Sequence, residues 1–149
     1  MDNIDRKILK ILQEDATISM DALAEKVNLS RNACWRRTKV LEDMGVITGR
    51  VALLDPERLD LSLQVLVLMR TATHTPDWLD RLERVVKDTP EILSAYRMSG
   101  DLDYVLRVRV RDVKDYDRFY QDLIRRIPIS DISSSFVMEE LKQTTALPV

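Results

Sequence analysis

The sequence predicts an α+β protein in which three amino-terminal helices precede an antiparallel sheet with helices on one face. Up to residue 45 the apolar residues recur at helical spacing, and after residue 60 strand-like apolar stretches alternate with helical ones. The dipeptide Asp55-Pro56 separates these two patterns. We therefore expect a first domain at 1–48, a strand linker at 49–60 and a second domain at 61–149.

The amino-terminal part predicts three short helices and a wing. Each helix follows a good N-cap residue: Asp2, Ser19 and Ser30. Gly45 is placed to end the third helix in a left-handed conformation. The short apolar segments 46–47 and 50–54 flank Thr48-Gly49, which indicates a two-stranded wing. This arrangement is a winged helix-turn-helix, whose third helix lies in the DNA major groove.

The carboxy-terminal part predicts the order βαββαβ. Strands are expected at 61–70, 92–98, 104–110 and 130–141, with helices at 77–87 and after Asp112. This is the ferredoxin-like arrangement, in which two helices cover one face of a four-stranded antiparallel sheet. In the first strand Val65 and Val67 share one face, whereas Leu66 and Leu68 lie on the other. Because both faces are apolar and helices cover only one, we expect a homodimer that packs sheet against sheet.

Composition and charge argue against several classes of function. The three glycines lie too far apart for a dinucleotide-binding or phosphate-binding loop. One cysteine, Cys34, and one histidine, His74, are too few for a structural zinc site, so we expect neither a metal nor another cofactor. We expect Cys34 in the core and His74 in a solvated loop. The net charge of −2 argues against a protein that coats nucleic acid through bulk positive charge.

The sequence has no features of a membrane or secreted protein. The longest apolar run, residues 65–69, is far shorter than the ~20 residues that span a bilayer. The first residues are acidic and enter a helical pattern at once, unlike a secretory signal. We therefore expect a cytoplasmic protein that has no membrane partner.

The third helix carries the candidate nucleic-acid contacts. Cys34, Thr38 and Leu41 fall on its inward face. The residues predicted to contact double-stranded DNA come from its cap and its outer surface: Ser30, Arg31, Asn32, Trp35, Arg36, Arg37 and Lys39. Guanidinium and amide groups suit base edges, and cations suit phosphates. The same residues also fit an ordinary solvated helix face, or a basic helix that binds an acidic protein.

The second candidate site is the hairpin tip between the second and third strands. Gly100 supplies the positive φ that a tight turn requires. Asp101 and Asp103 fit two interpretations: they bond the amides of the turn, or they bind the ammonium group of a small amphoteric ligand beside the hydroxyls of Ser133 and Ser135. An enzyme using both aspartates as acid and base would lack a nucleophile, a metal site and an activated histidine. We therefore do not expect an enzyme.

Over its full length the sequence resembles the Lrp/AsnC (feast/famine) family of transcription regulators. Short motifs in the same order carry the resemblance: Ile4–Leu9 with Leu12-Gln13, Leu23–Ser30, Arg36-Arg37, Leu41–Ile47, Ala52–Pro56, Ser99–Tyr104 and Thr144–Pro148. The resemblance implies a sequence-specific DNA-binding regulator whose DNA binding or assembly is modulated by a small amino acid. It also implies dimers that assemble further, often to octamers.

The resemblance also implies roles for particular residues. The helix segment 31–39 aligns with the family's recognition helix. The family binds amino acids between subunits near the hairpin, and by position the implied effector residues are Met98, Ser99, Gly100, Asp101, Asp103, Ser133 and Ser135. The segment 32–37 and the tail are most similar to a subgroup tied to sulfur amino acids such as cysteine. The sequence departs from the family at Thr38, where an aliphatic residue is common, and at Val40, where a basic residue is common.

Overall fold

The computed structural model describes residues 1–72 and 75–149, which form two compact units. The units are Met1–Leu53 together with Leu141–Val149, and Leu54–Glu140. His74, which we expected in a solvated loop, lies outside the described residues. Among the residues that are described, no helix is long and apolar enough to cross a membrane.

The carboxy-terminal tail contacts the first unit. Residues 141–149, which we expected in the second domain at 61–149, group with the first unit by their contacts, and the expected domain division remains a prediction. Gln13 bonds to the backbone of Leu147, while the Leu147 side chain stays exposed. The limits of the expected linker, 49–60, remain a prediction.

The first unit contains three helices around a small apolar core. They are α1 (Asn3–Glu14), α2 (Met20–Lys26) and α3 (Arg31–Asp43), and each begins at the predicted N-cap, which accepts backbone N–H groups of the first turn. The buried residues of the core are Ile8, Leu23, Ala24, Val27, Cys34 and Leu41. Burial raises the pKa of the Cys34 thiol, as expected for an inert core residue. The polar Thr38 is tolerated beside it because its hydroxyl donates to the Cys34 carbonyl at 3.0 Å.

The predicted wing strands at 46–47 and 50–54 are wrong, since the described part of the first unit contains no strand. Both backbone N–H groups of the first segment donate to the Leu41 carbonyl, at 2.9 and 3.1 Å, and so cap the end of α3. In the second segment Val51 and Leu54 are 81% and 72% exposed. A two-stranded ribbon that packs on nothing is marginal in water, which explains why it does not form within one chain.

The second unit has the predicted ferredoxin-like arrangement. After a 3-10 turn at Glu57–Leu59 its elements are β1 (Leu63–Arg70), α4 (Pro76–Asp88), β2 (Ile92–Arg97), β3 (Tyr104–Val110), α5 (Val113–Arg126) and β4 (Asp131–Phe136). The strands are antiparallel in the order β2-β3-β1-β4. Helices α4 and α5 cover one face, where Val67 of β1 and Leu106 of β3 are directly opposite and fully buried. Trp78, Leu82, Phe119 and Leu123 complete this core from the helices.

The last strand is shorter than predicted. We expected it to run to residue 141, but β4 ends at Phe136, which lies opposite Val65. Only one further backbone bond follows, from Val137 N–H to the Gln64 carbonyl at 2.9 Å. Because β1 begins at Leu63, only two of its residues lie beyond Val65, which is too few to pair with a strand that runs to residue 141.

The other face of the sheet combines apolar and cationic side chains. It carries the half-buried residues Leu66, Leu68 and Val105. Arg107 donates to the Ser94 hydroxyl at 3.0 Å, and Arg109 donates to the Ser62 carbonyl at 3.2 Å. Within residues 1–72 and 75–149, neither arginine has a carboxylate partner. This is the face that we expected to pack against a second copy.

Candidate functional site

Helix α3 presents a polar surface on the side away from the core. Its members Arg31, Asn32, Trp35, Arg36 and Lys39 are all exposed, as predicted. The Trp35 side chain is 55% exposed, so it does not serve the core of its own domain. The hydroxyl of Ser30 has a structural task, because it accepts the N–H of Ala33 at 3.3 Å and caps the helix.

The cations on this surface differ in how far they are already paired. Arg31 Nε lies 3.4 Å from Asp21 Oδ1, and Lys39 Nζ lies 2.9 Å from Asp43 Oδ1. Both pairs are exposed, so phosphate oxygens can replace the carboxylates at little cost. Arg36 has no hydrogen-bond or ion-pair partner among the described residues. Of the three arginines of α3, Arg36 is therefore the one whose guanidinium is not paired with a carboxylate of the described residues.

Arg37, although adjacent in sequence, is held inside the domain. Its Nη1 donates to Asp2 Oδ2 at 2.8 Å and to Asp5 Oδ1 at 2.7 Å. The two carboxylates raise the pKa of the Arg37 guanidinium. The pKa of Asp2 is lowered mainly by the backbone N–H of Asp5 and then by Arg37. Arg37 thus joins α3 to the first turn of α1, and its contact with DNA remains a prediction.

The hairpin tip is closed by backbone bonds and by one carboxylate. Gly100 has φ +111°, the left-handed conformation that the turn requires. Met98 N–H donates to the Asp103 carbonyl at 2.8 Å, and Asp103 N–H donates to the Met69 carbonyl at 3.0 Å. The Asp103 carboxylate accepts the N–H of Thr71 at 2.8 Å. Asp103 therefore does what the turn interpretation requires, by joining the hairpin to the end of β1.

Asp101 differs from Asp103 in leaving its carboxylate in solvent. Its side chain is exposed and bonds to nothing in the described part of the chain, while its backbone carbonyl accepts Arg70 Nε at 2.7 Å. Arg70 Nη1 also donates to Asp131 Oδ2 at 2.8 Å, at the start of β4. Arg70 thus ties the hairpin to β4. We did not single it out from the sequence, although an arginine ending an apolar strand is the signal that could have found it.

The serines of β4 fall on two different faces. Ser133 lies opposite Leu68 and Ser135 opposite Leu66, which places both on the face away from the helices. Ser134 lies on the helix side, where it hydrogen-bonds to the Tyr116 hydroxyl, and burial raises the pKa of that phenol. Ser133 and Ser135, the two serines predicted to contact the effector, therefore lie on the face of the sheet away from the core.

The hairpin residues Met98, Ser99, Gly100 and Asp101 are all exposed. A ligand could therefore reach these four residues from solvent. Within residues 1–72 and 75–149, no group of three or more His, Cys, Asp or Glu side chains is arranged to hold a metal ion.

Comparison with known proteins gives matches to both units. A winged helix-turn-helix DNA-binding model matches residues 1–48, and an Lrp/AsnC ligand-binding domain model matches residues 64–147. The DNA-binding transcriptional activator DecR of Escherichia coli (strain K12) is 50% identical, over 100% of this chain and 99% of its own length.

Two crystal structures are similar over nearly the whole chain. An AsnC family transcriptional regulator from Agrobacterium tumefaciens superposes with a TM-score of 0.96 at 53% identity, covering 99% of this chain and 97% of that one. A transcriptional regulator from Neisseria meningitidis, crystallised in complex with L-Met, gives a TM-score of 0.95 at 36% identity, with coverages of 99% and 96%. The likeness thus extends over both units.

Proposed function

The chain belongs to the Lrp/AsnC family of transcriptional regulators, and we propose that its two units are the operator-binding and the effector-binding parts of one such regulator. It is a DNA-binding regulator modulated by an amino acid. The observation that carries the proposed mechanism is the exposed, uncommitted guanidinium of Arg36 on α3. The N-cap of α3 and the hydrogen bonds from Arg37 to Asp2 and Asp5 hold that guanidinium on a rigid helix.

In this mechanism α3 lies in the major groove of double-stranded DNA. Arg36 and Arg31 read base edges, Asn32 and Trp35 add contacts, and Lys39 holds phosphate. Two copies of α3 related by a two-fold axis reach half-sites one or more helical turns apart, at ~34 Å per turn. Such a regulator works in the cytoplasm, where its DNA is.

Selection from fragmented genomic DNA tests the DNA-reading role. We expect the protein to enrich a small set of fragments that share two related half-sites. Binding to them should weaken linearly on a plot of log affinity against log salt concentration, because phosphate contacts release counterions. Fluorescence anisotropy at several salt concentrations gives the slope. Binding that shows neither sequence preference nor salt dependence would favour the alternative of a basic helix that binds an acidic protein.

The effector is proposed to be a sulfur-containing amino acid. The Neisseria relative at 36% identity binds L-Met, and the present chain offers the free carboxylate of Asp101 for the ammonium group. Met98, Ser99 and Gly100 supply adjacent side-chain and backbone contacts, and Ser133 and Ser135 supply hydroxyls on the same sheet face. Asp103 acts by holding the hairpin in place. These groups bind and position a ligand, and we propose no catalytic step for them.

A second subunit is proposed to complete this site. The exposed hairpin does not enclose a ligand by itself, and the face bearing Leu66 and Leu68 is the part of the sheet that the helices leave open. We propose a homodimer that packs these faces together, with further assembly of dimers to octamers.

Leu66→Glu should convert the dimer to a monomer. Leu66 lies directly opposite Arg107 on β3, so the new carboxylate gains a cross-strand cation within one chain and the fold should persist. In the dimer the same carboxylate would be buried against apolar side chains, which is costly. Light scattering after gel filtration should give half the wild-type mass or less, with an unchanged far-UV circular dichroism spectrum.

Val113→Glu is the matched control for that substitution. Val113 is 58% exposed at the start of α5, where an acidic side chain suits the helix dipole. This variant should keep the wild-type mass. If Leu66→Glu also keeps it while remaining folded, the sheet face is not the dimer interface.

A further inference from the structure

The end of the chain docks on the first helix through one side chain. Gln13 Nε2 donates to the Leu147 carbonyl at 2.8 Å, and Leu147 N–H donates to Gln13 Oε1 at 2.8 Å. A single amide side chain thereby satisfies both backbone groups of one residue, as a residue of a neighbouring strand would do. The contact recognises the backbone, since the Leu147 side chain is 68% exposed.

The docked tail has few other attachments. Ala146 N–H donates to the Thr144 hydroxyl at 3.0 Å and Val149 N–H to the Leu147 carbonyl at 2.9 Å, so these bonds shape the tail without anchoring it. Ala146 is the one half-buried residue of the tail, and the others are exposed. Two neutral hydrogen bonds at a wet surface compete with water, so they give a contact that opens readily.

We propose that the tail, residues 144–149, is a releasable strap that joins the DNA-binding unit to the sheet a second time. The chain leaves the first unit after Leu53 and returns to it at Leu141. While Leu147 is docked, the segment after β4 limits how far α1 can lie from Phe136, to roughly 40 Å even when fully extended. When the strap is released, the restraint that the bonds between Gln13 and Leu147 supply is lost.

Residues 137–143 connect the strap to β4, which carries Ser133 and Ser135 of the proposed effector site. Resting on the proposed function, an effector bound to β4 would act through this connection on the docking of the tail, and hence on the freedom of α3. The strap itself depends on neither an effector nor DNA.

Amide hydrogen exchange at Leu147 tests the docking. In the wild-type protein this amide should exchange more slowly than in an unstructured chain, although the contact opens readily, and Gln13→Ala should abolish that partial protection. Alanine is the better helix former, so α1 should remain folded. Gln121→Ala on α5 is the matched control, because Gln121 is exposed and its side chain makes no bond in the described chain; it should leave Leu147 protected. Free exchange in the wild type, or protection that survives Gln13→Ala, would overturn the proposal.

Nuclear-spin relaxation of the same variants tests the restraint. Amides of the DNA-binding unit should report faster independent tumbling in Gln13→Ala, and also in a chain ending at Gln143, than in the wild type or Gln121→Ala. Unchanged relaxation despite loss of protection at Leu147 would show a docked tail that restrains nothing, and would also overturn the strap. Both measurements use the protein without effector or DNA, so their failure would leave the regulator proposal untouched.

Discussion

Arg36→Ala should weaken binding to the selected operator by about 1–3 kcal/mol, roughly 5- to 150-fold, and relax the base preference at one position of each half-site. The reason is the state of this guanidinium in the free protein. It is exposed on α3 and has no carboxylate partner among the described residues, so it can donate two parallel bonds to a guanine edge without first breaking an ion pair. Competition binding against operators carrying single base changes measures both effects.

Two neighbouring arginines serve as controls because they share the residue type and differ in setting. Arg37→Ala should lower the melting temperature, since it removes the hydrogen bonds from Arg37 to Asp2 and Asp5. The base preference of this variant, measured at saturating protein, should stay the same. Arg31→Ala should reduce the affinity for the operator, and it leaves Asp21, the ion-pair partner of Arg31, exposed to solvent. If Arg36→Ala weakened every DNA sequence equally, Arg36 would hold phosphate instead. If Arg37→Ala relaxed the base preference, Arg37 would contact bases, and its proposed role in orienting α3 would be wrong.

The parts of the fold that local chemistry determines could be predicted from the sequence. Asp2, Ser19 and Ser30 cap their helices as expected, because an N-cap depends on residues within one turn. β3 has the predicted limits, Tyr104–Val110, because strict alternation of buried and half-buried residues marks both of its ends. The two-sided apolar pattern of β1 also lies in the sheet as predicted.

The parts that failed depend on pairing beyond the local sequence. The wing at 46–54 has the composition of strands, but its first backbone amides are used to cap α3. β4 was expected to continue to residue 141 because alternation continues past Phe136, yet its partner strand has only two more residues there. The tail docks through Gln13 and Leu147, which lie 134 positions apart, and no local pattern in the sequence pairs them.

The candidate sites were predictable as surfaces and not as individual roles. Arg36 and Arg37 are the same residue type one position apart, and only the position of Asp2 and Asp5 on α1 distinguishes them. Asp101 and Asp103 present the same difficulty. The turn and ligand interpretations both applied to the pair, whereas the structure gives the bond to Thr71 to Asp103 and leaves the Asp101 carboxylate in solvent.

Asp101→Asn should abolish stabilisation by the effector while leaving the fold intact. We expect L-cysteine or L-methionine to raise the melting temperature of the wild-type protein. A ligand at 100 times its Kd adds about 2.7 kcal/mol to the free energy of unfolding, which a thermal-shift titration resolves. Asparagine keeps the size of the side chain and removes the charge that faces the ammonium group. The backbone carbonyl of residue 101 remains available to Arg70, so the hairpin should keep its position.

Two further aspartates separate loss of the ligand from loss of the fold. Asp117→Asn changes an exposed carboxylate on α5 and should leave the thermal shift at its wild-type size. Asp103→Asn should lower the melting temperature even without ligand, because the bond to the Thr71 amide loses its charge. A full thermal shift in Asp101→Asn would remove the ammonium contact from this residue. If none of the twenty amino acids stabilised the wild type, the hairpin carboxylates would serve the turn alone, and the effector would have to be another metabolite or absent.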